Sequence, residues 1–192
     1  TKGMPKSLRA FMTNLGHPNS EEEDFSSSLL QYRDGTVVEL TSSLVSHGEP
    51  QSLTFQMEKA GIRIPFLVYA SKARANGFPE PDEDMAARVT QDFQSRPKLV
   101  LEHHAGQVRN FIDAIHGEDT LDITGEDGRR SIELITGIYQ SAVTDQEVNF
   151  PLDENSIYYS GEWRKTAPHF FEKTRDIDHF EDTVITDFKD KF

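Results

Sequence analysis

The stretch Phe25–Leu44, FSSSLLQYRDGTVVELTSSL, decides the fold class. Two β-rich runs flank Asp34-Gly35, a pair suited to a hairpin turn because both residues tolerate positive φ. A two-residue loop there sets Arg33 opposite Thr36, Gln31 opposite Val38 and Leu29 opposite Leu40 on one face. On the other, Tyr32 faces Val37 and Leu30 faces Glu39. Both faces carry apolar groups, whereas a sheet with one wet face alternates more cleanly. The pattern therefore predicts a sheet with helices on one face and a separate cover for the other.

Working outward, Ser7 to Asn14 reads as a further strand, followed by an exposed loop of His17-Pro18-Asn19-Ser20 and the acidic run Glu21 to Asp24. Downstream, Leu53, Phe55 and Met57 alternate, Glu58-Lys59-Ala60-Gly61 turns the chain, and Ile62, Ile64 and Phe66 alternate back. Gly61 is expected in the left-handed position that closes such a turn. Residues 71 to 98, with Asn76-Gly77 and the acidic run Glu80 to Asp84, read as a loop with a short helix near Met85 to Phe93.

Two longer helices follow. From Leu99 to Ile115 the residues Leu101, Val108, Phe111, Ile112 and Ile115 form one stripe, ending at Gly117. From about Gly125 to Val143, Ile132, Ile135, Ile138, Tyr139 and Ala142 recur at helical spacing. Thr124 with Asp127 resembles a capping box with Asp in place of Glu. Val148 to Leu152 reads as a short edge strand closed by Pro151.

The last 40 residues hold Tyr158, Tyr159, Trp163, Phe170, Phe171, Phe180, Phe188 and Phe192 but little aliphatic periodicity. They suit an arm lying on a surface, its own or a neighbour's. The expected fold is α+β: an open-faced, mostly antiparallel β-sheet with helices packed on one face, plus an extended C-terminal arm. The domain spans residues 1–152, and the aromatic, acidic arm spans 153–192.

Composition bounds the function. The 192 residues are 35% hydrophobic, with 13 Phe, 5 Tyr and one Trp, enough to build one core. The net charge of −13 repels phosphate backbones and anionic lipid, so neither nucleic acid nor a membrane is an expected partner. No apolar run approaches the roughly 20 residues of a bilayer span. The absence of cysteine excludes disulfides and thiolate chemistry within the chain and is compatible with a cytoplasmic location.

Motifs for chemistry are few. Glu102-His103-His104 lacks the i, i+4 histidine pair of a zinc-binding helix, so a polar helix face is preferred to a metal-dependent hydrolase using His103 or His104. The runs Glu21 to Asp24 and Glu80 to Asp84 have no central Gly and terminal Glu of a calcium loop and read as solvated. Gly125-Glu126-Asp127-Gly128 opens a helix where phosphate could bind, but its two acids repel an anion. Neither G-x-G-x-x-G nor G-x-S-x-G occurs.

Three stretches together resemble the C-terminal domain of the glucose–fructose oxidoreductase / inositol dehydrogenase (Gfo/Idh/MocA) family. They are Phe25 to Leu44, Gln107 to Ile115 (QVRNFIDAI) and Ile123 to Leu152 (ITGEDGRRSIELITGIYQSAVTDQEVNFPL). The resemblance covers roughly residues 3 to 152, and Tyr158 to Lys173 is similar to a subgroup extension. It implies a two-domain parent that uses NAD or NADP on a sugar, polyol or related hydroxyl compound. In that parent a Rossmann domain grips the dinucleotide, and the second domain walls the substrate pocket and makes subunit contacts.

Gly3-Met4-Pro5-Lys6-Ser7 resembles the segment just after the family's catalytic helix. The nucleotide fold, the family lysine and the proton-exchanging residue are thus expected before residue 1. Glu172-Lys173-Thr174 shares two letters with the lysine motif but lies after the last family strand and does not inherit its role. No residue here is therefore assigned a catalytic, cofactor-binding or metal role, and this chain alone is expected to bind no cofactor. The expected partners are a second copy, through the open sheet face, and the parent's Rossmann domain. The competing expectation is a non-enzymatic binding or assembly module that reuses the fold.

Overall fold

The computed structural model describes residues 3–48, 51–101, 103–160, 162–163 and 171–179. In chain order its elements are β1 (Ser7–Thr13), β2 (Phe25–Gln31), β3 (Val37–Ser43), β4 (Leu53–Gln56), β5 (Gly61–Ile64), β6 (Leu67–Tyr69), β7 (Ser71–Ala73), β8 (Pro79–Pro81), α1 (Glu83–Ser95), α2 (His103–His116), α3 (Gly125–Thr144), β9 (Val148–Asn149) and α4 (Ile157–Ser160). The chain divides into two units, Thr1–Glu49 with Asp122–Phe192, and Pro50–Leu121. All strand pairings are antiparallel, as expected for this α+β class.

In the first unit four strands pair in the order β3-β2-β1-β9. The alternation of β1 sends Leu8, Ala10 and Met12 to one face, where Leu30 of β2 and Val148 of β9 join them. There Leu8, Met12, Leu30 and Val148 meet Ile138 of α3, together with Phe150 and Leu152, to form the core. Leu134, Tyr139 and Ala142 of α3 pack around them. Helix α3 starts as its sequence specifies. Thr124 accepts the Asp127 N–H, and the Asp127 carboxylate accepts the Thr124 N–H at 3.0 Å, a complete capping box.

Three devices fix α3 on the sheet. Gly137 faces the Phe150 ring so closely that a Cβ there would lie 2.5 Å from Phe150 Cζ. Ser141 Oγ accepts the Ala10 N–H at 3.0 Å and donates to the Gln146 carbonyl at 2.6 Å. Strand β9 is two residues long, so this hydroxyl supplies the hydrogen-bond partner that Ala10 lacks beyond its end. The buried Glu133 carboxylate accepts the Leu152 N–H at 2.9 Å and an Arg129 N–H at 2.7 Å.

The β2–β3 hairpin departs from the expected register by one residue. Gln31 pairs with Val37, Leu30 with Val38, Leu29 with Glu39 and Ser28 with Leu40. Its loop is Arg33-Asp34-Gly35, closed by the Tyr32 N–H to the Thr36 carbonyl at 2.8 Å. Of the two expected turn residues only Gly35 has a positive φ, 85°. Asp34 instead accepts the Thr36 N–H at 3.0 Å through its side chain. A three-residue turn with one left-handed glycine thus replaces the two-residue turn, and it moves Leu40 to the opposite face from Leu29.

In the second unit β4, β5 and β6 form one sheet, and β7 and β8 form a hairpin turning at Asn76-Gly77. Gly61 is not left-handed; it pairs with Gln56 as the first residue of β5, where a Cβ would meet Gln56 Oε1 at 2.6 Å. Strand β5 ends at Ile64 because Pro65 has no N–H to continue the ladder. Helix α1 is longer than expected, with Asp82 accepting the Met85 N–H at its start. Helix α2 is shorter: Leu99 to Leu101 precede it, and Gly117, at φ 75°, ends it. Phe66 stacks on Phe93 of α1 with ring centroids 3.8 Å apart.

We predict that Gly137→Ala destabilises the chain by about 1–3 kcal/mol, because the added methyl would overlap the buried Phe150 ring and force helix or ring to shift. Adding Phe150→Leu is expected to recover part of that loss, read as the urea midpoint. Ser141→Ala is expected to cost about 1–3 kcal/mol by the same measurement, since it strands the Ala10 N–H.

Candidate functional site

The face of the four-stranded sheet opposite α3 is the first candidate. Residues alternating with the core set point there, and Phe11, Leu29 and Val37 are 64%, 56% and 63% exposed. The cross-strand register places Arg9, Leu29 and Glu39 in one row across β1, β2 and β3. This face has no nucleophile–base pair; beside its exposed apolar residues and the charges of Arg9 and Glu39 it carries neutral polar side chains, among them Ser27, Gln31 and Thr41.

The second candidate is the loop joining β1 to β2. Asn14 Nδ2 donates to the carbonyls of His17, Ser20 and Glu22 at 2.8, 3.3 and 3.0 Å, while Asn14 Oδ1 accepts the His17 N–H at 2.9 Å. Asp24 accepts the Leu15 and Gly16 N–H groups and lies 2.8 Å from His17 Nδ1. Its side chain is only 2% exposed, so the expectation of a wholly solvated acidic run fails at this residue. The positional signal was there: Asn14 and Asp24 stand at the loop's two ends, where a side chain must satisfy turning backbone. Burial pushes the Asp24 carboxyl up, but the His17 ring and the two backbone N–H groups outweigh it and hold the carboxyl below the ordinary Asp value.

The adjoining seam with α3 is polar and aromatic. Tyr139 Oη donates to Glu23 Oε1 at 2.5 Å. Trp163, 8% exposed, packs against Tyr139 and Tyr158 with centroids 5.6 and 5.7 Å apart. The Pro18 carbonyl accepts N–H groups from Thr174 and Arg175 at 2.9 and 3.1 Å. The described parts of the arm therefore lie on the chain's own first unit. Phe170, Phe180, Phe188 and Phe192 lie outside the described residues.

The other sequence candidates are engaged in structure. His104 Nδ1 contacts Gln107 Oε1 at 3.2 Å, His103 opens α2 with φ 56°, and Glu102 lies outside the described residues. Glu80 pairs with Arg74 at 3.1 Å, and Glu83 and Asp84 sit in the first turn of α1. Glu126 is held by Arg129 and Arg130 at 2.8 and 3.1 Å, which lowers its carboxyl below the usual Glu value. Lys173 pairs with Asp176. Among the described residues no three His, Cys, Asp or Glu side chains gather as a metal site. A shallow groove of about 400 Å³ in the second unit is lined by Tyr69, Ser71, Glu80, Asp82 and Glu83. Its acids are those already tied to Arg74 and to the start of α1.

A nicotinamide dinucleotide asks for a glycine-rich turn opening a helix, with N–H groups aimed at pyrophosphate. Helix α1 opens on Asp82, Glu83 and Asp84, and α3 opens on Thr124, Glu126 and Asp127. Carboxylates at both starts repel a diphosphate. Helix α2 opens on His103 with a single glycine, Gly106, in its first turns. The described residues do not fit this cofactor.

Residues 4–150 match the family model described as "Oxidoreductase family, C-terminal alpha/beta domain". The fold is similar to the WlbA dehydrogenase of Bordetella pertussis, solved with NADH and UDP-GlcNAcA, at 22% identity and TM-score 0.53, covering 78% of this chain and 40% of that one. It is similar to an aldose-aldose oxidoreductase of Caulobacter crescentus, complexed with glycerol, at 16% identity and TM-score 0.55, covering 77% and 42%. It is also similar to myo-inositol 2-dehydrogenase of Lactobacillus plantarum, at 18% identity and TM-score 0.51, covering 78% and 43%. The chain thus spans about two-fifths of the length of these solved relatives. No curated protein sequence matches it. Among the described residues no helix is long and apolar enough to cross a membrane.

Asp24→Asn is expected to lower stability at pH 7 by about 1.5–3 kcal/mol through lost charge-assisted hydrogen bonds. Because the folded carboxyl titrates below its unfolded value, its contribution is present above about pH 4 and is lost as pH falls through the folded value. Urea midpoints of the two proteins should therefore converge between pH 5 and pH 2. A constant gap over that range would contradict the assignment.

Proposed function

Because this chain belongs to the Gfo/Idh/MocA oxidoreductase family as its C-terminal alpha/beta domain, we propose that it is the substrate-side and oligomerisation domain of a two-domain NAD(P)-dependent oxidoreductase. The match over residues 4–150 carries this reading. The substrate class is a sugar, polyol or related hydroxyl compound. Support comes from relatives solved with UDP-GlcNAcA and with glycerol, and from one that is a myo-inositol dehydrogenase. The family domain runs from residue 1 to about 152, the remainder is an extension, and the parent enzyme works in the cytoplasm.

On this reading the chain alone does not turn over. Hydride transfer requires the nicotinamide and the substrate carbon at about 3–3.5 Å, with a base in reach. The acidic starts of α1 and α3 disfavour a diphosphate, which supports this reading. A Rossmann partner segment outside this chain supplies that grip, and this domain supplies a pocket wall and pairs through the sheet face opposite α3. A non-enzymatic assembly module is the second reading, favoured by the exposed Phe11, Leu29 and Val37 on that face. A gene whose product carries a Rossmann half before Thr1 supports the first, and an open reading frame starting near Thr1 supports the second.

Titrating the 192-residue chain with NADH by calorimetry is expected to give no saturable heat at micromolar concentration. Micromolar binding would overturn the division of labour proposed here.

A further inference from the structure

The chain builds one kind of turn twice. In the β2–β3 hairpin the Gly35 N–H donates to the Tyr32 carbonyl at 3.1 Å, the Tyr32 N–H donates to the Thr36 carbonyl at 2.8 Å, and Asp34 Oδ1 accepts the Thr36 N–H at 3.0 Å. In the β7–β8 hairpin the Gly77 N–H donates to the Arg74 carbonyl at 2.9 Å, the Arg74 N–H donates to the Phe78 carbonyl at 2.9 Å, and Asn76 Oδ1 accepts the Phe78 N–H at 3.1 Å. The glycines match as well, with φ of 85° and 82°. Before the glycine one turn carries an acid and the other its amide, and each uses the same side-chain oxygen in the same bond. The first turn therefore displays what the second becomes when the Asn76 amide is hydrolysed.

That hydrolysis needs no enzyme where glycine follows asparagine, because glycine has no side chain to crowd the attack. The Gly77 nitrogen passes its proton to hydroxide and attacks Asn76 Cγ. The new N–C bond closes a succinimide ring, and the C–NH2 bond breaks as ammonia leaves with a proton from water. Water then opens the ring at Cγ to give aspartate, or at the main-chain carbonyl to give isoaspartate. Of the six asparagines, Asn76 is the one followed by glycine. It is exposed, as are Ala75 and Gly77, and the space beside the Gly77 Cα is open. Asn14, by contrast, precedes Leu15 and commits its amide to three loop carbonyls.

The turn sets the pace. The Gly77 N–H is held by Arg74 and the Asn76 side chain by Phe78, so both bonds must open before the nitrogen meets Cγ. Strands β7 and β8 have three residues each and form a two-stranded sheet, so this opening is a local event. An aspartate re-forms the turn, as Asp34 does. An isoaspartate routes the main chain through Cβ and Cγ, and the added methylene does not fit a three-residue loop closed at both ends.

We propose that Asn76 is a spontaneous modification site of the folded chain, deamidated through a succinimide at a rate set by opening of the β7–β8 turn, with aspartate accepted in its place. The test holds the full 192-residue chain at mildly alkaline pH, folded in buffer and unfolded in concentrated urea. The tryptic peptide Ala75–Arg88, which contains no other asparagine, is followed by mass spectrometry with fragmentation that separates aspartate from isoaspartate. Asn76 is expected to convert ahead of every other asparagine in both states, and about tenfold to a hundredfold more slowly in the folded chain. Asn76→Asp is expected to keep the wild-type urea midpoint. No detectable conversion in the folded chain over about ten unfolded half-lives, or earlier conversion at another asparagine, overturns the site. Similar rates in the two states overturn control by the turn, and a lowered midpoint in Asn76→Asp overturns acceptance of the product.

Discussion

The first unit depends on how closely α3 approaches the sheet, and that approach is set where Gly137 meets Phe150. A side chain at 137 would hold the helix away from the ring. Without one, the Phe150 ring fills the space itself, and Ser141 comes within hydrogen-bonding distance of Ala10 on β1. The Glu133 carboxylate, four residues before Gly137, comes within reach of the Leu152 N–H just beyond β9. One missing methyl group therefore aligns a hydrophobic contact and two polar attachments. Together they make one sheet face a closed core and leave the opposite face exposed.

That asymmetry explains why the molecule looks poor in catalytic chemistry. Its carboxylates serve the backbone and the arginines: Asp24 satisfies loop N–H groups, Asp82 and Asp127 cap helices, and Glu126 and Glu133 hold Arg129. For Asp24, Glu126 and Asp127 these bonds hold the carboxyl below its ordinary value, which suits a rigid wall better than a proton-transfer centre. The same commitments put negative charge at helix starts, where a diphosphate would need the opposite.

Much of this was legible in the sequence because it is local. The Thr124/Asp127 capping box, β1, the short edge strand β9 and the Gly117 stop each depend on a few neighbouring residues, and each appears as expected. Of the expected α3 stripe, Ile138, Tyr139 and Ala142 join the core, whereas Ile132 and Ile135 are exposed. The hairpin register was not legible from Asp34-Gly35 alone, since the same dipeptide serves both two-residue and three-residue turns. The Asp34 side chain's bond to Thr36 selects the longer one. Gly61 misled for a related reason: its value is the space it leaves for Gln56 across the ladder, not a left-handed backbone. The burial of Asp24 and the Arg9–Leu29–Glu39 row are long-range consequences of pairing, so they emerge only once the register is known.

The central claim is that these residues form a wall and a contact surface without a dinucleotide seat. Hydrogen-exchange mass spectrometry of the 192-residue chain, with and without saturating NADH, tests it most directly. The account predicts identical deuterium uptake throughout, including the helix starts at residues 82–86 and 124–128. Selective protection of either segment by the dinucleotide would contradict it.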